Sequence, residues 1–297
     1  MHLPHSDNGL RGVIYIIGSA VIFGCMPLGA HFVYAGGCNA ITLVLLRSLL
    51  SLPVLLLLAR RSGPLARLPL RIWGRLAVLG IVGMAITPVL LFSSYHYIAS
   101  GTATTVHFVY PVFVLLGCVL FLHERLTRTK IVCLALCLGG IFCFYTPGAV
   151  SGGMTGLLLA FVSGIIFAFY IIYLDHCALP RMSPFFLCFG CSASAATVLL
   201  PYALLTDSLS LPTTASSWGV ALIFSLSIMV GASVLFQMGV QLIGPQSAAI
   251  LSTFEPITSV AVGIVVFHEP FTLRSLIGVV LILSAVALLT RSSRCAE

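Results

Sequence analysis

Charge is scarce in this chain: only 7% of its 297 residues are Asp, Glu, Lys or Arg, against about 25% in a typical soluble domain. Such a deficit excludes an ordinary water-soluble fold, and with 60% hydrophobic residues and a mean hydropathy of +1.16 it indicates a polytopic membrane protein. Strict alternation of apolar and polar residues, the mark of a membrane β-barrel, is missing too, and the apolar runs are continuous. No stretch between them is long enough to hold a soluble domain. The chain also lacks the short motifs that carry common enzyme chemistry. There is no Gly-x-Ser-x-Gly elbow and no Walker loop, and Thr127 and Thr272 stand where a zinc protease would need the second histidine after His123-Glu124 and His268-Glu269. Nothing calls for a metal or cofactor. The net charge of +7 does not point to nucleic acid, because the basic residues form no aromatic-interleaved patch. The ten cysteines fall mostly inside apolar runs, so Cys188-x-x-Cys191 reads as packing, not as a redox or metal pair.

What is present is a set of ten apolar segments of about bilayer length, near 12–33, 39–59, 72–93, 101–121, 129–147, 153–174, 184–205, 217–238, 246–267 and 273–291. With the N-terminus in the cytoplasm, twelve of the fourteen Lys and Arg residues fall on the inner side, Arg274 lies outside and Arg47 is in the membrane. That asymmetry predicts both termini in the cytoplasm, in a cell or inner membrane. Trp73 and Trp218 fall at segment ends, as interfacial tryptophans do.

The chain repeats itself. Adding 145 to Ile98, Ala103, Pro111, His123, Glu124 and Thr127 lands on Ile243, Ala248, Pro256, His268, Glu269 and Thr272, and an offset of 144 carries Gly12, Ser19, Ile22 and Phe23 onto Gly156, Ser163, Ile166 and Phe167. Two units follow, 12–147 and 153–291, each with five segments. Five is odd, so the second unit enters the membrane inverted. The predicted fold is all-α, ten transmembrane helices in two inverted five-helix repeats, the pattern of a transporter whose site lies between its halves. Gly152-x-x-x-Gly156 and Gly139-Gly140 read as close helix contacts.

Polar residues at membrane depth single out the candidate site. Glu255 precedes Pro256 near the middle of an apolar segment, and a charge there costs about 2.5–3.5 kcal/mol on insertion scales. The proline is expected to remove a helix hydrogen bond and free the carbonyl of Ser252. Tyr110 and Pro111 stand at the equivalent positions of the first unit, and His107 stands opposite Ser252. Helical spacing makes stripes of Ser252, Glu255 and Ser259, of His107 and Tyr110, and of Ser233, Gln237 and Gln241. The glutamines either line a cavity or bond neighbouring helices, and Tyr110 and His107 either face it or satisfy each other. Arg47 either snorkels to the outer interface or faces the bundle, pairing with Glu255 or a substrate carboxylate. His31, Tyr34, Tyr95 and His96 are gate candidates or belt aromatics. The expected roles are Glu255 as substrate-amine or proton site, Tyr110, His107, Gln237, Gln241, Ser252 and Arg47 as further substrate contacts, and Pro111 and Pro256 as hinges. An intramembrane enzyme and a non-transporting receptor or partner are the rival readings. The first lacks a nucleophile–base pair or metal cluster, and the second would not need Glu255 and Arg47 in the membrane.

Tyr110-Pro111-Val112-Phe113 followed by His123-Glu124-Arg125-Leu126-Thr127 resembles the end of the fourth helix in the EamA family of the drug/metabolite transporter superfamily. Glu255-Pro256 through His268-Glu269-Pro270-Phe271-Thr272 resembles the second copy, and Arg47 within Leu45-Leu46-Arg47-Ser48 matches a second-helix arginine common in that family. The resemblance covers 12–291. It implies ten helices in inverted repeats, a central cavity, and export or exchange of amino acids and other small metabolites. Two departures, His-Glu where Gly-Glu is usual and Phe23 where the first helix commonly has Trp, bear on substrate and not on fold.

Overall fold

The computed structural model describes residues 5–62, 69–98, 100–123, 127–144, 153–177, 183–267 and 272–295. Arg67, Arg125, Arg181, Gly152 and the His-Glu turn residues Glu124 and His268–Phe271 lie outside them. The described residues form helices and short connections. The first repeat comprises α1 (His5–Gly24), α2 (Met26–Ala35), α3 (Ala40–Arg61), α4 (Leu70–Leu79), α5 (Thr87–Ser94), α6 (Ser100–His107), α7 (Tyr110–Leu122) and α8 (Arg128–Phe144). The second comprises α9 (Gly153–His176), α10 (Pro184–Leu205), α11 (Ala215–Leu226), α12 (Ser233–Leu251), α13 (Phe254–Phe267) and α14 (Leu273–Cys295).

Six runs among the described residues are long and apolar enough to cross a membrane: Gly9–Ala35, Ala40–Arg61, Leu70–Ser94, Met154–His176, Pro184–Leu205 and Ala215–Leu251. Three further apolar helical stretches, Tyr110–Leu122, Phe254–Val266 and Leu276–Ala285, are shorter. The two segments expected at 101–121 and 246–267 are each divided by a break, which is why neither forms one long helix.

The breaks repeat to within one or two residues of the sequence offset. The α6–α7 break at 108–109 corresponds to the α12–α13 break at 252–253, and α4 and α5 are joined by a π-helical turn, Gly80–Ile86, as α11 and α12 are by Ser227–Ala232. A π turn frees carbonyls from the regular ladder. Here the Thr87 hydroxyl donates to the Val82 carbonyl at 2.8 Å and the Ser233 hydroxyl to the Ile228 carbonyl at 2.9 Å, closing both turns in the same way. Gly244, at φ +76°, turns the chain before Pro245 within the last long run, a conformation that side chains with a Cβ resist.

Packing is reciprocal between the halves. Helix α3 packs on its counterpart α10 and α8 on its counterpart α14, while α1 against α12 and α13 mirrors α9 against α5 and α7. Small residues set the close approaches: a Cβ on Gly140 would lie 2.8 Å from the Gly278 carbonyl, and one on Gly156 2.8 Å from Tyr97. Thr127 caps α8 by accepting the Lys130 backbone N–H at 3.3 Å, as its place in the sequence predicts.

Candidate functional site

Both broken helices, α1, α2, α3, α5, α9 and the π turn Gly80–Ile86 converge on one chamber with about 590 Å³ of space free of atoms, part of it open solvent. Its walls are mostly apolar. Phe23, Phe167 and Phe236 form an aromatic face, with Met26, Met84 and Leu91 beside them. Phe167 stacks on Phe236 with centroids 5.8 Å apart and on Tyr170 at 5.6 Å. Five polar groups interrupt this surface: Arg47, Thr87, His107, Ser233 and Glu255, with Tyr170 at the edge of the aromatic face.

Arg47 faces the bundle and does not snorkel: it is 5% exposed and lines the chamber. One guanidinium nitrogen donates to the Met84 carbonyl at 3.3 Å, while Nε is buried with no partner among the described residues. Its backbone is pinned by the Ser225 hydroxyl, which donates to the Arg47 carbonyl at 2.7 Å. Glu255 sits in the first turn of α13, partly buried, where the helix N-terminus favours a carboxylate. Among the described residues its carboxylate makes no ion pair with Arg47 or any other cation. A guanidinium and a carboxyl group therefore line one chamber from different repeats with no ion pair between them.

The histidine tautomer follows from the hydrogen bonds. Ser163 gives its only proton to the Ala160 carbonyl at 2.6 Å, so it accepts from His107 Nδ1 at 2.8 Å. In the neutral imidazole this leaves Nε2 as a bare acceptor. The same reasoning applies to Ser252, which donates to the Ala249 carbonyl at 3.0 Å and so accepts from the Tyr110 hydroxyl.

The residues singled out from sequence are thus divided. Arg47, His107 and Glu255 line the chamber. Tyr110 and Ser252 are buried behind it, the Tyr110 hydroxyl donating to that of Ser252 and bridging the two broken helices, while the Tyr110 ring packs edge-on against Phe167 at 4.9 Å. Gln237 is also one layer back: its amide donates to the Tyr170 hydroxyl at 3.2 Å and its oxygen accepts from the Cys188 thiol at 3.0 Å, so it positions Tyr170. Gln241 is exposed and is not part of the chamber wall, because the stripe turns outward by one more helical turn.

Pro256 does not act as expected on Ser252. The helix is already broken at Ser252–Thr253, the Glu255 N–H donates to the Ser252 carbonyl at 3.0 Å, and Pro256 sits in the first turn of α13, where no donor is missed. Pro111 likewise opens α7. Its absent N–H leaves the His107 carbonyl facing the backbone of Gly164, close enough that a Cβ there would lie 2.7 Å from the oxygen. Of the gate candidates, Tyr34 and His96 meet with rings 5.7 Å apart, and the Tyr95 hydroxyl lies 3.3 Å from Thr104 Oγ1. Sequence reasoning passed over Tyr170 and Phe236 as site residues. Phe23 and Phe167 carried a signal, since each is the other's repeat counterpart.

Two uncharacterized transporters of Archaeoglobus fulgidus are similar to this chain, one 29% identical over 215 residues (71% of this chain, 76% of the relative) and one 28% identical over 220 residues (72% and 76%). An uncharacterized transporter of Synechocystis is 29% identical over 209 residues, 68% of this chain and 62% of the relative. A crystal structure of a protein 18% identical in sequence superposes with a TM-score of 0.80 over 98% of this chain and 99% of the other, which shows a shared fold. The EamA-like transporter family matches twice, over residues 10–146 and 154–291, with one match on each repeat, and this membrane chain belongs to that family.

Proposed function

We propose that the chain is a secondary transporter that moves small organic metabolites, amino acids or similar, out across the cytoplasmic membrane by alternating access. In this reading its ten helices form two inverted five-helix repeats with both termini in the cytoplasm. The observation that carries it is the chamber holding Arg47 and Glu255 unpaired. Each charge costs free energy at membrane depth, and a pair kept apart in one cavity is most simply understood as waiting for a ligand with both signs of charge. A substrate ammonium would sit on Glu255, its carboxylate on Arg47, and its apolar body against Phe167, Phe236 and Met84. His107 Nε2 adds an acceptor for an ammonium proton. With substrate gone, Glu255 is the group to carry a proton across in exchange.

Removal of the charge tests this. In proteoliposomes, Glu255→Gln should abolish proton-driven uptake and flatten the pH dependence of whatever exchange remains. Unchanged transport with unchanged pH dependence would remove Glu255 from the mechanism.

A further inference from the structure

The two helix breaks, equivalent in sequence, make different contacts. His107 and Ser252 hold the same position of the two repeats, Tyr110 and Glu255 hold another, and Ser19 and Ser163 a third. Ser252 reaches across to the other break and receives the Tyr110 hydroxyl. His107 turns away from the crossing and bonds Ser163, on the first helix of the opposite repeat, at 2.8 Å. The counterparts of both contacts are open. Glu255 and His107 line the same chamber with no hydrogen bond or ion pair between them. Ser19, the counterpart of Ser163, donates to the Ala232 carbonyl at 2.9 Å and does not bond Ser252.

Repeats that share one architecture can exchange arrangements, and rocking one against the other exposes a fixed site to each side in turn. We propose that in the state open to the opposite membrane face these contacts swap: His107 pairs with Glu255 across the breaks as Tyr110 and Ser252 do here, and Ser252 turns to Ser19. The proposal rests on the transport reading and gives His107 a specific part in it. Both groups needed are available, since His107 and Glu255 line the chamber and no hydrogen bond or ion pair to a described neighbour occupies His107 Nε2 or the Glu255 carboxyl group. The pair serves the empty return of the carrier. With no substrate ammonium present, Glu255 carries the returning proton, and its carboxyl O–H donates to the bare His107 Nε2 when the chamber closes around it.

Hydrogen exchange on the full chain in lipid nanodiscs, without substrate, tests the swap. The informative peptides lie at the two ends of the bundle: 36–42 with 206–214, where the Asn39 amide donates to the Ser208 carbonyl at 2.6 Å, and 127–130 with 244–247, where Lys130 donates to Gln246 at 2.5 Å. Tyr110→Phe removes the contact made here, so exchange should rise at one end and fall at the other. Adding Glu255→Leu or His107→Asn to Tyr110→Phe should reverse that shift, and adding both should reverse it no further than either alone. Shifts of the same sign at both ends, no shift in Tyr110→Phe, or no reversal by the second substitutions would overturn the proposal. Because no substrate is present, the result is independent of whether Glu255 binds a transported ammonium.

Discussion

At the scale of single residues, the account turns on side chains that are buried without being neutralised. Arg47 spends one nitrogen on the Met84 carbonyl and keeps Nε unpartnered beside the chamber. A hydrogen bond to a charged group contributes about 1.5–3 kcal/mol, or on the order of 10- to 150-fold in affinity. Arg47→Gln should therefore weaken binding of a carboxylate-bearing substrate by that factor, measured by thermal shift or calorimetry on the detergent-solubilised protein. Arg47→Lys should not restore it fully, because a point charge cannot reproduce the guanidinium fork. Gln237 gives a contrasting case. It touches Tyr170 and Cys188 but not the chamber, so Gln237→Leu strands the buried Tyr170 hydroxyl at a cost of about 1–3 kcal/mol. Its first readout should be a lower melting temperature, with substrate affinity changing less than in Arg47→Gln.

At the scale of elements, glycines decide how near the helices come. Gly164 admits the His107 carbonyl, which an alanine Cβ would meet at 2.7 Å. Both sides of that contact are backbone, so Gly164→Ala should force α9 and α6 apart, cost about 1–3 kcal/mol and displace His107 from the chamber. Gly219→Ala is the matched control: nothing lies within 4 Å of its added Cβ, and it should leave the melting temperature nearly unchanged or slightly raised. Gly244→Ala imposes a Cβ on a residue at φ +76° and ψ 166°, and the strain of about 1–3 kcal/mol should lower the melting temperature although the space is open.

The elements also show what sequence makes visible. The offset between Tyr110-Pro111 and Glu255-Pro256 located both breaks, because a proline in an apolar run and a repeated polar neighbour are properties of the string itself. The effect of Pro256 on the Ser252 carbonyl is not legible in the string, since a local hydrogen bond from Glu255 to that carbonyl depends on where the helix has already ended. Gln241 was misplaced for a related reason: periodicity says which residues share a face and not which way the face points. Tyr170 was invisible as a site residue because a tyrosine in an apolar helix looks the same at a cavity wall and in a core.

For the whole molecule, the governing fact is reciprocity. The main helix contacts of one repeat have counterparts in the other, from α3 on α10 to the mirrored packing of α1 and α9, and the chamber is lined by residues of both repeats. On the proposed exchange, the asymmetry that remains, Tyr110 bonded to Ser252 while His107 and Glu255 stand apart, marks which of two related arrangements is populated. The central claim is that this chamber binds a ligand bearing both charges, and ligand-induced stabilisation measures it most directly. Purified wild-type protein and the Arg47→Gln and Glu255→Gln variants would be screened against α-amino acids and against the same compounds lacking either the amine or the carboxylate. The account expects a concentration-dependent rise in melting temperature with the intact zwitterion, lost on removing either charged group of the ligand or either charged side chain. Stabilisation of equal size by the one-charge analogues, or undiminished in both variants, would contradict it.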